Sequence, residues 1–346
     1  AMRGSQVRLF VPQKGDKHAL MQMARRDVIE MMKVLEERKF PVSELRLLAG
    51  AGSAGKRISF MCKEHTVVQA SEDAFEGLDI VLGAAENDIA MRFAPAIVKA
   101  GAVFVDNSSA FRLYEDVPLV VSEINPEDVR KHRGIIANPN CTTIISLVAL
   151  NALNKESPIE SIIASSYQAV SGAGAQGISE LSEETAAIAA GKAVKPSVFP
   201  YQIAYNVIPQ IGSEAFMGYT SEEMKLQNEG RKILHSPELK VSCTCVRVPV
   251  FRSHSVSLLI RTKEKISAAR ARELIAAAAG CRLTDDIANR VYPMPLDTSN
   301  QDLVYVGRIR DDLTDERGLN LWCCGDQLRK GAATNAVQIA EIVAGL

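Results

Sequence analysis

Apolar positions in the first part of the chain fall in short runs that alternate with helical spacings. Residues 7–11 read as a short strand. In residues 27–38, Val28, Met31, Met32 and Leu35 share one helical face and predict an amphipathic helix. A strand over 45–49, an apolar run of buried-strand length over 79–84, a helix over 89–100 stopped by Gly101, and a strand over 103–105 follow. Ile135 and Ile136 sit in a last short strand before Asn138-Pro139-Asn140. This alternation predicts an α/β domain built on a Rossmann-like, doubly wound, mostly parallel sheet.

The rhythm changes near Ile159. Runs over 161–168, 241–248, 256–261, 304–309 and 319–324 read as strands, with one long helix over 178–190. Strands then outnumber helices, which predicts an α+β domain with a mixed or largely antiparallel sheet. The tail, 332–346, is apolar at helical spacing and is expected to return onto the first domain. The expected division is therefore 1–140, completed by a C-terminal helix within 326–346, and 141–325.

Composition narrows the function classes. The 346 residues exceed one ordinary core, and two domains of roughly 100–200 residues each are expected. Lys plus Arg is 40 and Asp plus Glu is 41, a net charge of -1, which argues against a nucleic-acid partner. No apolar run approaches the roughly 18 residues of a membrane span, and no signal-peptide core opens the chain. The opening Ala1-Met2-Arg3-Gly4-Ser5 reads as a cloning remnant. Seven cysteines, an odd number, have spacings that suit neither a zinc site nor a disulfide framework. No metal and a cytoplasmic setting with free thiols are expected.

Four stretches carry candidate chemistry. In Asn138-Pro139-Asn140-Cys141-Thr142-Thr143, Pro139 breaks the strand and a helix begins near Thr142. A thiol at a helix N-terminus meets unpaired amides and the positive dipole end, which favour thiolate and oxyanion. Cys141 is either such a nucleophile or a small packed hydrophobe. In Tyr167–Ala175, Gly172 and Gly174 form a small-residue loop between strand and helix; it suits an anion or is a plain turn. Arg247, Arg252 and His254 cluster around Pro249, as a site or as a solvated strand end. Glu222 and Lys225 stand at i and i+3 on a probable helix, as a site pair or a surface ion pair.

These motifs together resemble the aspartate-semialdehyde dehydrogenase family. The resemblance rests on Asp106-Asn107-Ser108-Ser109-Ala110-Phe111-Arg112, the segment around Cys141, Tyr167 to Gly174, and Asn206-Val207-Ile208-Pro209. It continues in Cys245-Val246-Arg247 through His254-Ser255 and in Arg329-Lys330-Gly331-Ala332-Ala333-Thr334-Asn335. It runs from about Met31 to the C-terminus. It implies a nucleotide-binding first domain, a catalytic and dimerisation second domain, and a homodimer or homotetramer. It implies NADPH-dependent reduction of L-aspartyl 4-phosphate to L-aspartate 4-semialdehyde through a Cys141 thioester. His254 is then the acid/base, Gln168 orients the acyl group and Asn140 helps place the oxyanion. Arg247 grips the substrate carboxylate, Glu222 its amino group, and Arg112, Lys225 and Asn107 the phosphate. Ser53, Lys56, Ser171, Gly172, Ala173, Gly174 and Asn335 line the NADP site. A related enzyme such as N-acetyl-glutamyl-phosphate reductase shares the cysteine–histidine chemistry but not the Glu222 partner. A binding protein that had lost its NADP site would share only the fold.

One departure bears on the cofactor. The family opens on a strand followed by Gly-Ala-Thr-Gly-x-x-Gly; here Pro12-Gln13-Lys14-Gly15-Asp16-Lys17-His18 follows, and Gly15 is the only glycine between Val11 and Glu30. Gly52 stands where many relatives carry an arginine, and Glu86 where many have a glycine-rich turn. The return to register at Met31 reads first as a rewritten N-terminal segment, next as a divergent cofactor site and last as a lost one, and weak NADPH binding is expected.

Overall fold

The computed structural model describes the backbone of residues 5–10 and 18–346, and side chains from Asp27 onward. The chain forms two compact units, one up to Pro139 together with Ala332–Leu346, the other Asn140–Gly331.

In the first unit the order is β1 (Ser5–Phe10), α1 (His18–Glu37), β2 (Val42–Ala49), β3 (Arg57–Phe60), β4 (Lys63–Gln69), β5 (Ile80–Gly83), α2 (Asn87–Lys99), β6 (Val103–Asp106) and β7 (Ile135–Ala137). The seven strands run β3-β4-β2-β1-β5-β6-β7 and are parallel except for the β3–β4 hairpin. Ser5, set aside as part of a cloning remnant, begins β1. The strand order reverses at β1, between β2 and β5, so the crevice where this architecture binds nucleotides opens at the carboxyl ends of these strands. All four residues of β5 are buried, as its continuous apolar run requires of a strand covered on both faces. Ile80, Leu82 and Val105 share a core with Met31 and Leu35 of α1 and with Ala336, Val337, Ile339 and Ala340. The last four lie on the C-terminal helix of the chain. Burial of each of the larger of these side chains stabilises by about 1.5–3 kcal/mol.

The second unit runs α3 (Cys141–Glu156), β8 (Ile159–Gln168), α4 (Gly174–Ala189), β9 (Glu214–Phe216), β10 (Tyr219–Thr220), α5 (Ser221–Ile233), β11 (Lys240–Arg247), β12 (His254–Thr262), α6 (Ala268–Ala276), β13 (Cys281–Leu283), α7 (Pro295–Thr298), β14 (Val304–Asp311) and β15 (Gly318–Gly325). Its six-stranded sheet, β11-β8-β12-β15-β14-β13, is mixed: β11–β8 and β13–β14 are parallel and the other pairs antiparallel. The C-terminal helix α8 (Thr334–Ala344) belongs to the first unit and follows a π-helical turn over Arg329–Ala333. Residues 326–331, expected with the first domain, belong to the second unit. The Asp326 carboxylate holds them there: it accepts from the amides of Leu328 and Arg329 and from Asn300, and pairs with Arg252 at 2.5 Å.

Candidate active site

Cys141 is the first residue of α3, and Asn140 is its N-cap. The extended backbone of Asn140 aims its Oδ1 at the amides of Thr142 (3.0 Å) and Thr143 (3.2 Å). These amides, expected to be open to an oxyanion, are occupied by the cap. The helix dipole still favours negative charge at Cys141. The Asn140 amide donates to Glu229 Oε2 at 2.7 Å, and its side chain donates to Glu222 Oε1 at 3.0 Å. Thr142 to Leu150 of α3 are all buried, so the helix that begins at Cys141 is fixed by core on every side. Gly331 lies against Cys141: a Cβ there would stand 2.8 Å from Cys141 Cβ.

Strand register gathers the other groups. Arg247 ends β11 opposite Gln168, which ends β8, and His254 begins β12 next to Ser255, the partner of Tyr167. Three chemically active side chains therefore converge at one end of the sheet. Gln168 Nε2 donates to Thr142 Oγ1 (3.0 Å) and lies 3.3 Å from Glu222 Oε1. Glu222 sits in the first turn of α5, which starts with a capping box between Thr220 and Glu223. Burial works to raise the Glu222 pKa, but Lys225, at 2.7 Å, and hydrogen bonds from Lys225, Asn140 and Gln168 hold it below its ordinary value. The pair is partly buried rather than fully solvated.

Arg247 is buried and donates from Nη1 to the Ala169 carbonyl at 2.7 Å. His254 is fully buried, and its Nδ1 accepts from the Ala169 amide at 3.1 Å. With Nδ1 accepting, the neutral ring carries its proton on Nε2, which has no hydrogen-bond partner among the described residues. Burial, aided by the Arg247 charge, pushes the His254 pKa down to about 3. A Cβ on Gly172 would stand 2.8 Å from Arg247 Nη1 and 3.4 Å from His254 Nε2, so only glycine keeps that space open. Ser171 Oγ accepts from Gln327, whose Oε1 accepts from the Ser253 amide, and Gln327 thereby ties this loop to the start of β12. Glu229, Gln327 and Gly331 had no local signature as site residues; their contacts lie far away in sequence.

The remaining expected residues lie in the first unit. Asn107 and Arg112 follow β6, and Arg112 Nη2 donates to the Asn107 carbonyl at 2.8 Å. Asp106, buried, accepts from the Ser108 amide and hydroxyl and so shapes this loop. Ser53 and Lys56 follow β2, half-buried and exposed. Asn335 is buried; its amide donates to Val120 O and Asn138 Oδ1, and its oxygen accepts from Ser122. Its side chain is spent within the unit. Residues 12–17 lie outside the described residues. Within the first unit, Ser53 and Lys56 beyond a parallel strand offer a hydroxyl and an ammonium of the kind a phosphorylated nucleotide requires.

Known proteins match both units. The model of the semialdehyde dehydrogenase NAD binding domain matches residues 29–132, and that of the semialdehyde dehydrogenase dimerisation domain matches 150–330. An aspartate-semialdehyde dehydrogenase of Aquifex aeolicus is 49% identical over 316 residues, 90% of this chain and 93% of that one. One of Bacillus subtilis is 44% identical over 320 residues, with 90% and 92% covered. The crystal structure of aspartate semialdehyde dehydrogenase II from Vibrio cholerae, also solved complexed with ASA, has a TM-score of 0.92 at 40% identity and covers 99% of this chain and 98% of that one. With both of its units matched by semialdehyde dehydrogenase family models and with such relatives along nine-tenths of its length, the chain belongs to the aspartate-semialdehyde dehydrogenase family.

Proposed function

We propose the following course for the reduction of L-aspartyl 4-phosphate to L-aspartate 4-semialdehyde by this chain, with NADPH as the reductant. The observation that carries it is the convergence of Cys141, Gln168, Glu222, Arg247 and His254 in one unit. Cys141 Sγ, as thiolate, attacks the acyl carbon; the C–S bond forms and the C–O bond to phosphate breaks. NADPH, when bound, supplies hydride to the thioester carbon. The resulting hemithioacetal oxygen collapses back to the carbonyl, the C–S bond breaks and the thiolate returns. The resemblance gives His254 an acid/base part; its ring geometry favours the donor's half, an Nε2–H hydrogen bond to the developing oxyanion. Gln168 orients the acyl group. Arg247 takes the α-carboxylate in a two-point grip and Glu222 the ammonium. Lys225 offsets the charge of the phosphate, and the resemblance gives Arg112 and Asn107 the same part.

Ser53 and Lys56 would hold the adenosine phosphate, and Ser171–Gly174 the nicotinamide side. Asn335 supports the first unit from within. The chain works as a homodimer or homotetramer in the cytoplasm. The open face of the six-stranded sheet, with exposed Ile163 and with Tyr167 packed at a tilt against Trp322, ring centroids 5.4 Å apart, supplies the contact. None of the seven cysteines is in a disulfide, and no described helix is long and apolar enough to cross a membrane.

Turnover of aspartate semialdehyde, phosphate and NADP in the oxidative direction tests the reading. In that assay Arg247→Lys is expected to lower kcat/KM about 10- to 100-fold, since lysine keeps the charge but loses the planar fork. An unchanged kcat/KM would remove Arg247 as the anchor. Titration calorimetry with NADPH is expected to show binding weaker than low micromolar, because no glycine stands between Gly15 and Gly50 to bring backbone amides to a pyrophosphate. A low-micromolar constant, about -8 kcal/mol, would show that other groups do this work.

A further inference from the structure

We propose that Glu180 and Phe199 are positioning residues for the carboxylate anchor: Glu180 gathers the backbone of residues 197–199 so that the Phe199 ring backs the Arg247 guanidinium. The inference rests on the reading of Arg247 given above.

Between α4 and β9 the chain runs through residues 190–213 without a helix or a ladder strand. A stretch this long without regular structure is normally tied down or functional. Two buried carboxylates of α4, one turn apart, tie it down. Glu180 Oε2 accepts from the Ser197 amide (3.0 Å), the Ser197 hydroxyl (2.6 Å) and the Val198 amide (2.5 Å), and Oε1 accepts from the Phe199 amide (3.2 Å). Glu184 Oε2 accepts from Ile203 (2.9 Å) and Ala204 (2.8 Å). A carboxylate offers about four acceptor positions, and Glu180 uses its set on one turn of chain.

That turn is aimed at Arg247. The Arg247 guanidinium carbon lies 5.8 Å from the Phe199 ring centroid, within cation–π range. A Cβ on Gly177 would collide with the Val170 carbonyl oxygen and stand 3.1 Å from Phe199 Cζ, so glycine makes room for both the backbone and the ring. The same stretch holds the Arg247 backbone: its amide donates to Ile208 O at 2.8 Å, and its carbonyl accepts from Ile208 at 3.0 Å. Nη1 is spent on Ala169, the ring covers one face, and the other donors of Arg247 have no protein partner among the described residues. A long guanidinium side chain loses most of its rotamer freedom in this setting, which pre-organises its open edge for a carboxylate.

The test is steady-state kinetics on Phe199→Leu and Glu180→Gln in the oxidative direction, with thermal melts and with Arg247→Lys in parallel. Leucine keeps the bulk and loses the π face; glutamine keeps one acceptor and turns a donor toward amides. Phe199→Leu is expected to raise KM for aspartate semialdehyde about five- to tenfold, with kcat and the phosphate KM within about twofold. Glu180→Gln is expected to show the same split, and Phe199→Tyr to restore the wild-type KM. With 3-aminopropanal, which lacks the carboxylate, wild type and Phe199→Leu should be equal. A folded Phe199→Leu with unchanged KM, or an equal penalty on 3-aminopropanal, would overturn the proposal, whether or not Glu180→Gln folds. If Arg247→Lys falls while Phe199→Leu does not, only this inference fails. If Arg247→Lys keeps its kcat/KM, the anchor reading and this inference fail together.

Discussion

Cys141→Ser is expected to leave the fold intact and to abolish turnover. Serine is nearly isosteric, and the structure around position 141 does not depend on the sulfur: Asn140 caps the helix, and α3 is held by its buried run from Thr142 to Leu150. Chemistry changes more. A thiol at a helix N-terminus is readily a thiolate, whereas a serine hydroxyl needs a base to become a nucleophile. The neighbouring histidine cannot supply one in its present tautomer, because the Ala169 amide fills Nδ1 and the proton sits on Nε2. A single-turnover assay with the acyl phosphate separates loss of thioester formation from a later defect. Retention of even a tenth of wild-type kcat, about 1.4 kcal/mol of barrier, would remove Cys141 from the nucleophile's part. A large drop in melting temperature would show that the sulfur was packing as a core atom instead.

The nucleotide half was readable wherever a strand was buried on both faces. The run 79–84 appears as β5, trimmed to Ile80–Gly83, because continuous apolar stretches of that length have few other uses. The hairpin β3–β4 escaped for the opposite reason. Lys63, Glu64, Val68 and Gln69 are exposed, and Val67 is the one residue of β4 that is buried, so the strand carries no apolar alternation. Helix α1 begins at His18, nine positions before the periodic face at Val28 was read to open at Asp27.

In the site, local grammar reached as far as local hydrogen bonds reach. Proline followed by asparagine and cysteine before an apolar run announced a helix head. It did not announce that the asparagine would fill the amides of Thr142 and Thr143, since the same donors serve either a cap or an oxyanion. Arg247, Gln168 and His254 were singled out by residue type and by family resemblance, while the strand register that brings them together is a tertiary fact. Glu229 lies 89 positions from Asn140, and Gln327 lies 156 from Ser171. No pattern on one stretch of chain encodes such pairs.

The same register has an energetic consequence. Taking an arginine and a histidine out of water side by side costs both of them, and Arg247 and His254 respond differently. Burial lowers the Arg247 pKa, but guanidinium remains charged, helped by Glu222 and Cys141. Histidine yields instead and stays neutral. In the proposed course this leaves one fixed cation for a carboxylate and one neutral N–H for an oxygen that becomes anionic only during reaction.

That division makes His254→Asn the second large effect. Asparagine can still accept from the Ala169 amide through its shorter side chain, so the start of β12 should hold, but it cannot reach the Nε2 position. Loss of one donor to a developing oxyanion costs about 10²–10³ in kcat, with a smaller change in KM. Glutamine, which is longer, should recover part of the loss. The pH profile distinguishes a neutral donor from a titrating acid/base. The ring's ordinary pKa of 6.5 is pushed down to about 3, so it is protonated only below that value and stays neutral from weakly acidic to basic solution. Wild-type kcat/KM should then show no limb near pH 6.5 that His254→Asn removes; the variant's profile should have the same shape at a lower level. A limb near neutrality that vanishes in His254→Asn would mean that the ring releases Ala169 and cycles its proton. An unaltered rate in the folded variant would make His254 a buried structural residue.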